Sequence, residues 1–253
     1  MSWASRRRTM YGTGLVTFLV VVIGVPAFLL WYEKPTCFDG VKNQGEDSVD
    51  RGGPCMLLDA SGVQNFVVLW ARAFEVVPGV YNAVAQVDNP NFSAGVVDVP
   101  YSFKLFDGNN ILIAERKGRT FISPNKVNAI FEGGIETGER VPTRTFFEFL
   151  EPPQWERVTH PVEGIQVKSR VLSDAETQPR LTAVIENTSF KDAYEVEVVA
   201  IIFNARDVAV ASSKTVIEIL PQQSSKGVTF TWPKPFLSAS ARIEVLPQVV
   251  FGE

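Results

Sequence analysis

Histidine and cysteine are almost missing from this chain of 253 residues: His160 is the one histidine, and Cys37 and Cys55 are the two cysteines. One imidazole and two thiols are too few for a Cys/His zinc centre of four ligands. His160 lies between Thr159 and Pro161, in a stretch that reads as linker, and no serine or cysteine is marked as its nucleophilic partner. A basic surplus is also lacking. The 24 Lys and Arg are outnumbered by 28 Asp and Glu, giving a net charge of -4, whereas a nucleic-acid partner calls for a basic face. Gly133-Gly134 is followed by neither a helix nor Lys-Ser/Thr, so it reads as a strand bulge or turn and not as a phosphate loop. Glu195 and Glu197 alternate along one strand face and read as a solvated edge. The expectation is a protein that is not an enzyme.

Charge is absent altogether from Thr9 to Tyr32, and Gly14 to Trp31 is nearly all Val, Leu, Phe and Ile. At about 1.5 Å per residue such a helix crosses a hydrocarbon core of roughly 30 Å. Tyr11 at one end, with Trp31 and Tyr32 at the other, fits the aromatic belts of a bilayer, and Pro26 predicts a kink. Arg6, Arg7 and Arg8 precede the span, while Glu33 and Lys34 cancel after it. The positive-inside rule then puts the N-terminus in the cytoplasm and the bulk of the chain outside. The competing reading is a signal peptide cut after Val25-Pro26-Ala27. Against it, the apolar run continues through Phe28, Leu29, Leu30 and Trp31.

Both cysteines fall just past the span, in a segment rich in Gly, Asp and Asn. Outside the cytoplasm two nearby thiols oxidise to each other. Closing a loop of this length is worth about 3 kcal/mol in the chain-entropy model. Residues 37–55 have too few apolar side chains for a core of their own and need that staple. Cys37, Asp39, Gly40, Asn43, Glu46, Asp50, Gly52, Gly53 and Cys55 resemble a Cys-rich module of exported proteins, spelled C-x-D-G-x-x-N-x-x-E-x-x-x-D-C-G-G-x-C, with Arg51 where the module has a cysteine. Asp39, Asn43, Glu46 and Asp50 offer oxygens that suit a structural Ca²⁺. They equally suit ordinary turns, in which Asp-Gly and Asn supply left-handed backbone. No other cofactor is expected.

Beyond residue 60 the pattern is β throughout. Val99, Tyr101, Phe103 and Leu105 alternate with Pro100, Ser102 and Lys104, and Asp107-Gly108-Asn109-Asn110 then turns the chain into Ile111-Leu112-Ile113. Further strand-like runs cover 65–70, 80–87, 126–131 and 143–149. The pattern then repeats. Phe106 and Phe203, Val99 and Val196, Ala114 and Ala211, Lys117 and Lys214, and Pro124 and Pro221 are all 97 apart; Asn89 and Asn187, and Phe92 and Phe190, are 98 apart. The chain therefore reads as all-β, with two tandem immunoglobulin-like β-sandwiches behind one N-terminal transmembrane helix. The expected divisions are a basic cytoplasmic tail (1–10), the helix (11–32), the disulfide-closed juxtamembrane segment (33–60), a first sandwich (61–150), a Pro-rich linker (151–164) and a second sandwich (165–253).

Phe103-Lys104-Leu105-Phe106-Asp107 resembles the F-x-L-Y-D signature of small extracytoplasmic sandwich domains. Val87-Asp88-Asn89-Pro90 likewise resembles the strand entry of late-embryogenesis-abundant-type sandwiches. The resemblance implies a secreted or surface β-sandwich, in families with no common catalytic activity. The expected function is an extracytoplasmic structural or interaction protein, held in the cell membrane by its helix, that displays both domains to an envelope protein or to a copy of itself. The alternative is a lipid- or glycan-binding module. Trp155, Trp232 and Phe236 stand in Pro-rich stretches and read either as a contact surface or as filling of the sandwich ends and the interdomain crease.

Overall fold

The computed structural model describes residues 3–31, 34–159, 164–236 and 238–250. His160, Tyr32, Glu33 and Phe251 lie outside the described residues. The chain divides into two compact units, Met1–Pro54 and Cys55–Glu253.

In the first unit α1 (Trp3–Leu19) passes through one π-helical turn (Val20–Gly24) into α2 (Val25–Trp31). Pro26 explains the turn. It has no N–H to give and its ring crowds the carbonyl four residues back. A wider turn, in which the Val25 N–H reaches Val20 O, relieves that crowding without breaking the helix. The Thr13 hydroxyl donates to Thr9 O at 2.8 Å, and the Thr9 hydroxyl donates to Ser5 O at 2.9 Å, which satisfies both groups along an apolar surface. None of the helix's described side chains is buried. Trp3–Trp31 is long and apolar enough to cross a membrane, a property it shares with signal sequences.

The second unit is all β, apart from one 3₁₀ turn at Ala60–Gly62. Its strands are β1 (Val67–Val77), β2 (Val80–Asn89), β3 (Ala94–Phe106), β4 (Leu112–Ile122), β5 (Lys126–Glu136), β6 (Arg144–Phe149), β7 (Glu156–Arg157), β8 (Ile165–Ser173), β9 (Arg180–Asn187), β10 (Ala193–Asn204), β11 (Ala209–Leu220), β12 (Ser224–Thr231) and β13 (Ser240–Gln248). Two sheets, β1-β2-β5 and β4-β3-β6, enclose one core, and β8-β9-β12 with β11-β10-β13 enclose a second. Strand for strand the order is the same.

The 97-residue repeat is exact in the pairing of β3 with β4 and of β10 with β11. Val99 faces Thr120 as Val196 faces Ile217, and Leu105 faces Ala114 as Ile202 faces Ala211. Both hairpins turn alike. Asp107 Oδ1 accepts the N–H groups of Asn109 and Ile111, and Asn204 Oδ1 accepts those of Arg206 and Val208. Asn110 and Asp207 take left-handed backbone at φ 60 and 58, which their short polar side chains tolerate. A second shared device is a fully buried asparagine. Asn89 Nδ2 donates to Ala94 O and Ser123 O while its Oδ1 accepts from the Asn91 N–H. Asn187 does the same with Lys191 O, Leu220 O and the Ser189 N–H. Each fastens the β2–β3 or β9–β10 loop to its sandwich. Gly133-Gly134 lies inside β5, where the pairing with β2 slips between Tyr81 and Ala83, so it is a strand bulge.

Three expectations need correction. The sandwiches do not stand in series on a linker: the outer face of β1-β2-β5 packs on the outer face of β11-β10-β13. Phe74, Val84 and Ala129 meet Val199, Ile201, Phe203 and Ala209 there. β11 touches β1, β2 and β5 in turn, so the strands of the two faces cross. Next, residues 151–158 are not linker. The Leu58 N–H donates to Trp155 O, β7 pairs with β3, and Leu57 bridges to Glu156, so this stretch closes the first sandwich together with the incoming chain. Last, Glu197 is not on an edge, because β10 runs between β11 and β13, and its carboxylate meets Lys214 Nζ at 3.0 Å.

The faces left over carry polar residues at the matching positions in both copies, beside the exposed Phe146 on one and Val171 on the other. At the repeat positions of Val199 and Ile201 the first sandwich carries Ser102 and Lys104, which bond to Glu115 and Glu148. At those of Val84 and Ala129 the second carries Thr182 and Gly227, both exposed.

Asn187→Ala strips the partner from two carbonyls and one N–H. Urea unfolding is expected to give a loss of about 3 kcal/mol, from buried polar groups left unpaired, with Asn89→Ala close to it.

Candidate functional site

The stacked sheets leave a cleft of about 360 Å³ beside the place where they cross. Phe74 of β1 and Tyr81 of β2 form one wall. The Trp232-Pro233-Lys234-Pro235-Phe236 loop after β12 forms the other, with Ala209–Ser212 of β11 alongside. Trp232 is 9% exposed. Its ring meets Phe236 edge-on at 5.2 Å and its indole N–H points to Ser212 O at 3.4 Å. The Trp232 backbone N–H donates to Pro179 O, which pins the loop's start. Phe236 is half-buried. Of the two readings of Trp232 and Phe236, the structure places both at the crease.

Charge rims the cleft. Lys234 Nζ and Glu75 Oε1 lie 3.7 Å apart, one from each sandwich. Arg72 Nη1 donates to Ala209 O at 3.1 Å, and among the described residues Arg72 has no carboxylate within ion-pair distance. Burial pushes the Tyr81 phenol above its ordinary pKa, with the Glu75 charge adding to it, so Tyr81 faces the cleft as a neutral donor. The site is an apolar hollow with an arginine at its margin, of a size that suits a small ligand.

Trp155 is elsewhere. It is 2% exposed, in the first core, with its ring 4.5 Å from Phe66, so it is no contact surface. Its indole packs where the incoming chain and the chain after β6 meet. A tryptophan after a Pro-Pro pair marks a wedge as readily as a surface anchor.

Asp39, Asn43, Glu46 and Asp50 do come together, and their bonds are to the loop itself. Asp50 accepts the N–H groups of Asp39 and Gly40 at 3.1 and 3.0 Å. Asp39 accepts those of Thr36 and Val41 and the Asn43 amide. Glu46, which is buried, accepts those of Asn43 and Asp50. Asn43 Oδ1 is a buried oxygen without a partner. The carboxylates thus do for this loop what a ladder does for a sheet. Cys37 and Cys55 are disulfide-bonded, so their sulfurs are not metal ligands.

The most displaced acid in the sandwiches is Tyr101, which burial and a 2.7 Å hydrogen bond to Glu132 push up. Tyr101 on β3 and Glu132 on β5 tie the two sheets of the first sandwich. Gly118 is required opposite them, since a Cβ there would lie 2.5 Å from the Tyr101 hydroxyl.

No family model matches the sequence, and no curated protein does. Solved structures of low similarity match, and family 2 glycoside hydrolases are among them. A β-glucuronidase of that family shares 11% identity at a TM-score of 0.22, covering 69% of this chain and 24% of its own. A family 2 enzyme from Bacteroides cellulosilyticus shares 10% at 0.24, covering 69% and 29%. A Bacteroides uniformis β-glucuronidase shares 14% at 0.19, covering 68% and 22%. The chain spans about a quarter of the length of these enzymes, and neither activity nor substrate passes from them to it.

The Thr36 N–H bond, with the Asn43 amide after it, holds the Asp39 carboxyl below the usual carboxylate range. A group depressed on folding stabilises above its unfolded pKa and ceases to do so as pH falls through the folded value. A carbon-detected titration is expected to place Asp39 below the ~3.9 of a free aspartate. Reduction of the disulfide should move it toward that value as the loop opens.

Proposed function

We propose that this chain is a membrane-tethered extracytoplasmic protein whose two sandwiches act as one rigid block presented to an envelope partner. The observation that carries the reading is the order of parts. Arg6–Arg8 come before an apolar helix, and a disulfide between the only two cysteines comes just after it. Three arginines favour a cytoplasmic N-terminus, and a disulfide belongs to an oxidising compartment. The apolar contact between the sandwiches makes the pair a single presenting surface. Membranes treated with a thiol reagent of low permeability test this reading. The protein is expected to stay unlabelled until reductant is added and then to take up two labels. Labelling that needs detergent to open the membrane but no reductant would place Cys37 and Cys55 as free thiols in the cytoplasm and end the proposal.

A second reading has its own observation, the cleft at the crease. Its aromatic walls and Arg72, which has no carboxylate partner among the described residues, suit an amphipathic anion, such as a lipid bearing a carboxylate or phosphate, better than a neutral glycan. Thermal unfolding of the full chain with fatty acids and, separately, with oligosaccharides discriminates. A lipid-specific rise in Tm that Arg72→Ala and Phe236→Ala each weaken about tenfold, or roughly 1.4 kcal/mol, is the expected result. No rise with either panel removes the reading.

A further inference from the structure

The disulfide loop carries apolar side chains that its own fold leaves outside. Phe38 is 84% exposed and Val41 is 59% exposed, at a turn through Gly40, which has φ +70. Val49 is exposed too, at the tip of the adjoining Ser48–Arg51 turn. Exposed apolar residues gathered at one edge are the kind of surface that contacts a protein or a membrane.

The polar groups between them are turned away. Asp39, next to Phe38, spends its carboxylate on Thr36, Val41 and Asn43, and Asp50 spends its own on the Asp39 and Gly40 N–H groups. The Phe38–Val41 edge therefore offers hydrocarbon, with Lys42 beside it. The chain length then restricts what can reach it. Phe38 is seven residues past Trp31, where the apolar helix ends, so it lies at most about 25 Å from that point even if fully extended. The headgroup layer begins where such a helix leaves the hydrocarbon.

We infer that the disulfide loop rests on the outer leaflet, with Phe38 and Val41 in the interfacial layer and Lys42 among the phosphates, as a second contact with the membrane that the helix spans. This rests on the helix being a membrane anchor. Aromatic and aliphatic side chains with a flanking cation are the composition that the interface takes up. The disulfide and the carboxylate–amide bonds fix the turn, so little conformational freedom is lost on contact.

The test uses the full chain in vesicles of phosphatidylcholine and phosphatidylglycerol. An environment-sensitive fluorescent amino acid replaces Phe38, Phe18 or Phe190 in turn, with the disulfide verified on a non-reducing gel. The lipids carry bromine quenchers at shallow or deep acyl positions. Phe18 lies within the helix, and Phe190 is a residue of the second sandwich with the same 84% exposure as Phe38. The expected result is deep quenching at position 18, shallow quenching at 38 at least threefold above that at 190, and loss of the signal at 38 when Val41→Asp is added. Quenching at 18 with 38 no different from 190 overturns the inference and leaves the anchor standing. Absence of quenching at 18 overturns both.

Discussion

Everything in the β-rich unit hangs on β2 and β10 each being buried on both faces. A strand of an ordinary sandwich has one face in the core and one in water. Here Ala83, Ala85 and Val87 face the first core while Val84 and Gln86 face the other sandwich; Val198, Ala200 and Ile202 face the second core while Val199, Ile201 and Phe203 face back. A buried side chain of this size is worth about 2 kcal/mol, and those of Val84, Val199, Ile201 and Phe203 are buried between the two sheets. Polar groups inside the contact are matched. Trp70 Nε1 donates to Gln86 Oε1, and Gln86 Nε2 donates to Glu244. Gln248 both gives to and accepts from the Ala129 backbone, at 2.8 Å each way. Arg242 lies over the Phe203 ring at 3.7 Å and joins Asp207 to Glu244. The cleft follows from the same crossing, since faces that cross leave a corner open.

Much of this was legible in the sequence. Alternation predicted the Val99–Leu105 part of β3, Asp107-Gly108-Asn109-Asn110 predicted its turn, and the offsets of 97 and 98 predicted the duplicated pairing. The stacking was legible as well, but in a signal of another kind: Val198-Val199-Ala200-Ile201-Ile202-Phe203 does not alternate at all. An unbroken apolar run in a strand means burial on both sides.

Trp155, which read either as a contact surface or as filling of a sandwich end, fills the first core. Composition alone cannot separate a Pro-rich linker from a Pro-rich closing strand, because prolines stiffen both. What decides is whether the chain finds a partner, and here the partner is the incoming segment around Leu57 and Leu58, almost a hundred residues away in sequence. The acidic loop is a similar case. The oxygens gather as their spacing implied, yet whether they gather around a cation or around backbone N–H groups depends on where the amides point.

The polarity of the two unused outer faces has a consequence for assembly. The contact between the sandwiches is heterologous: each copy gives a different face, and such a contact left open propagates from one molecule to the next. Ser102 and Lys104 on one end, and Thr182 and Gly227 on the other, stand where apolar residues would extend the series. They behave as terminal caps do in a solenoid. The duplication thus sets one adhesive face of each copy against the other's, and leaves polar residues at the matching positions of the two remaining faces.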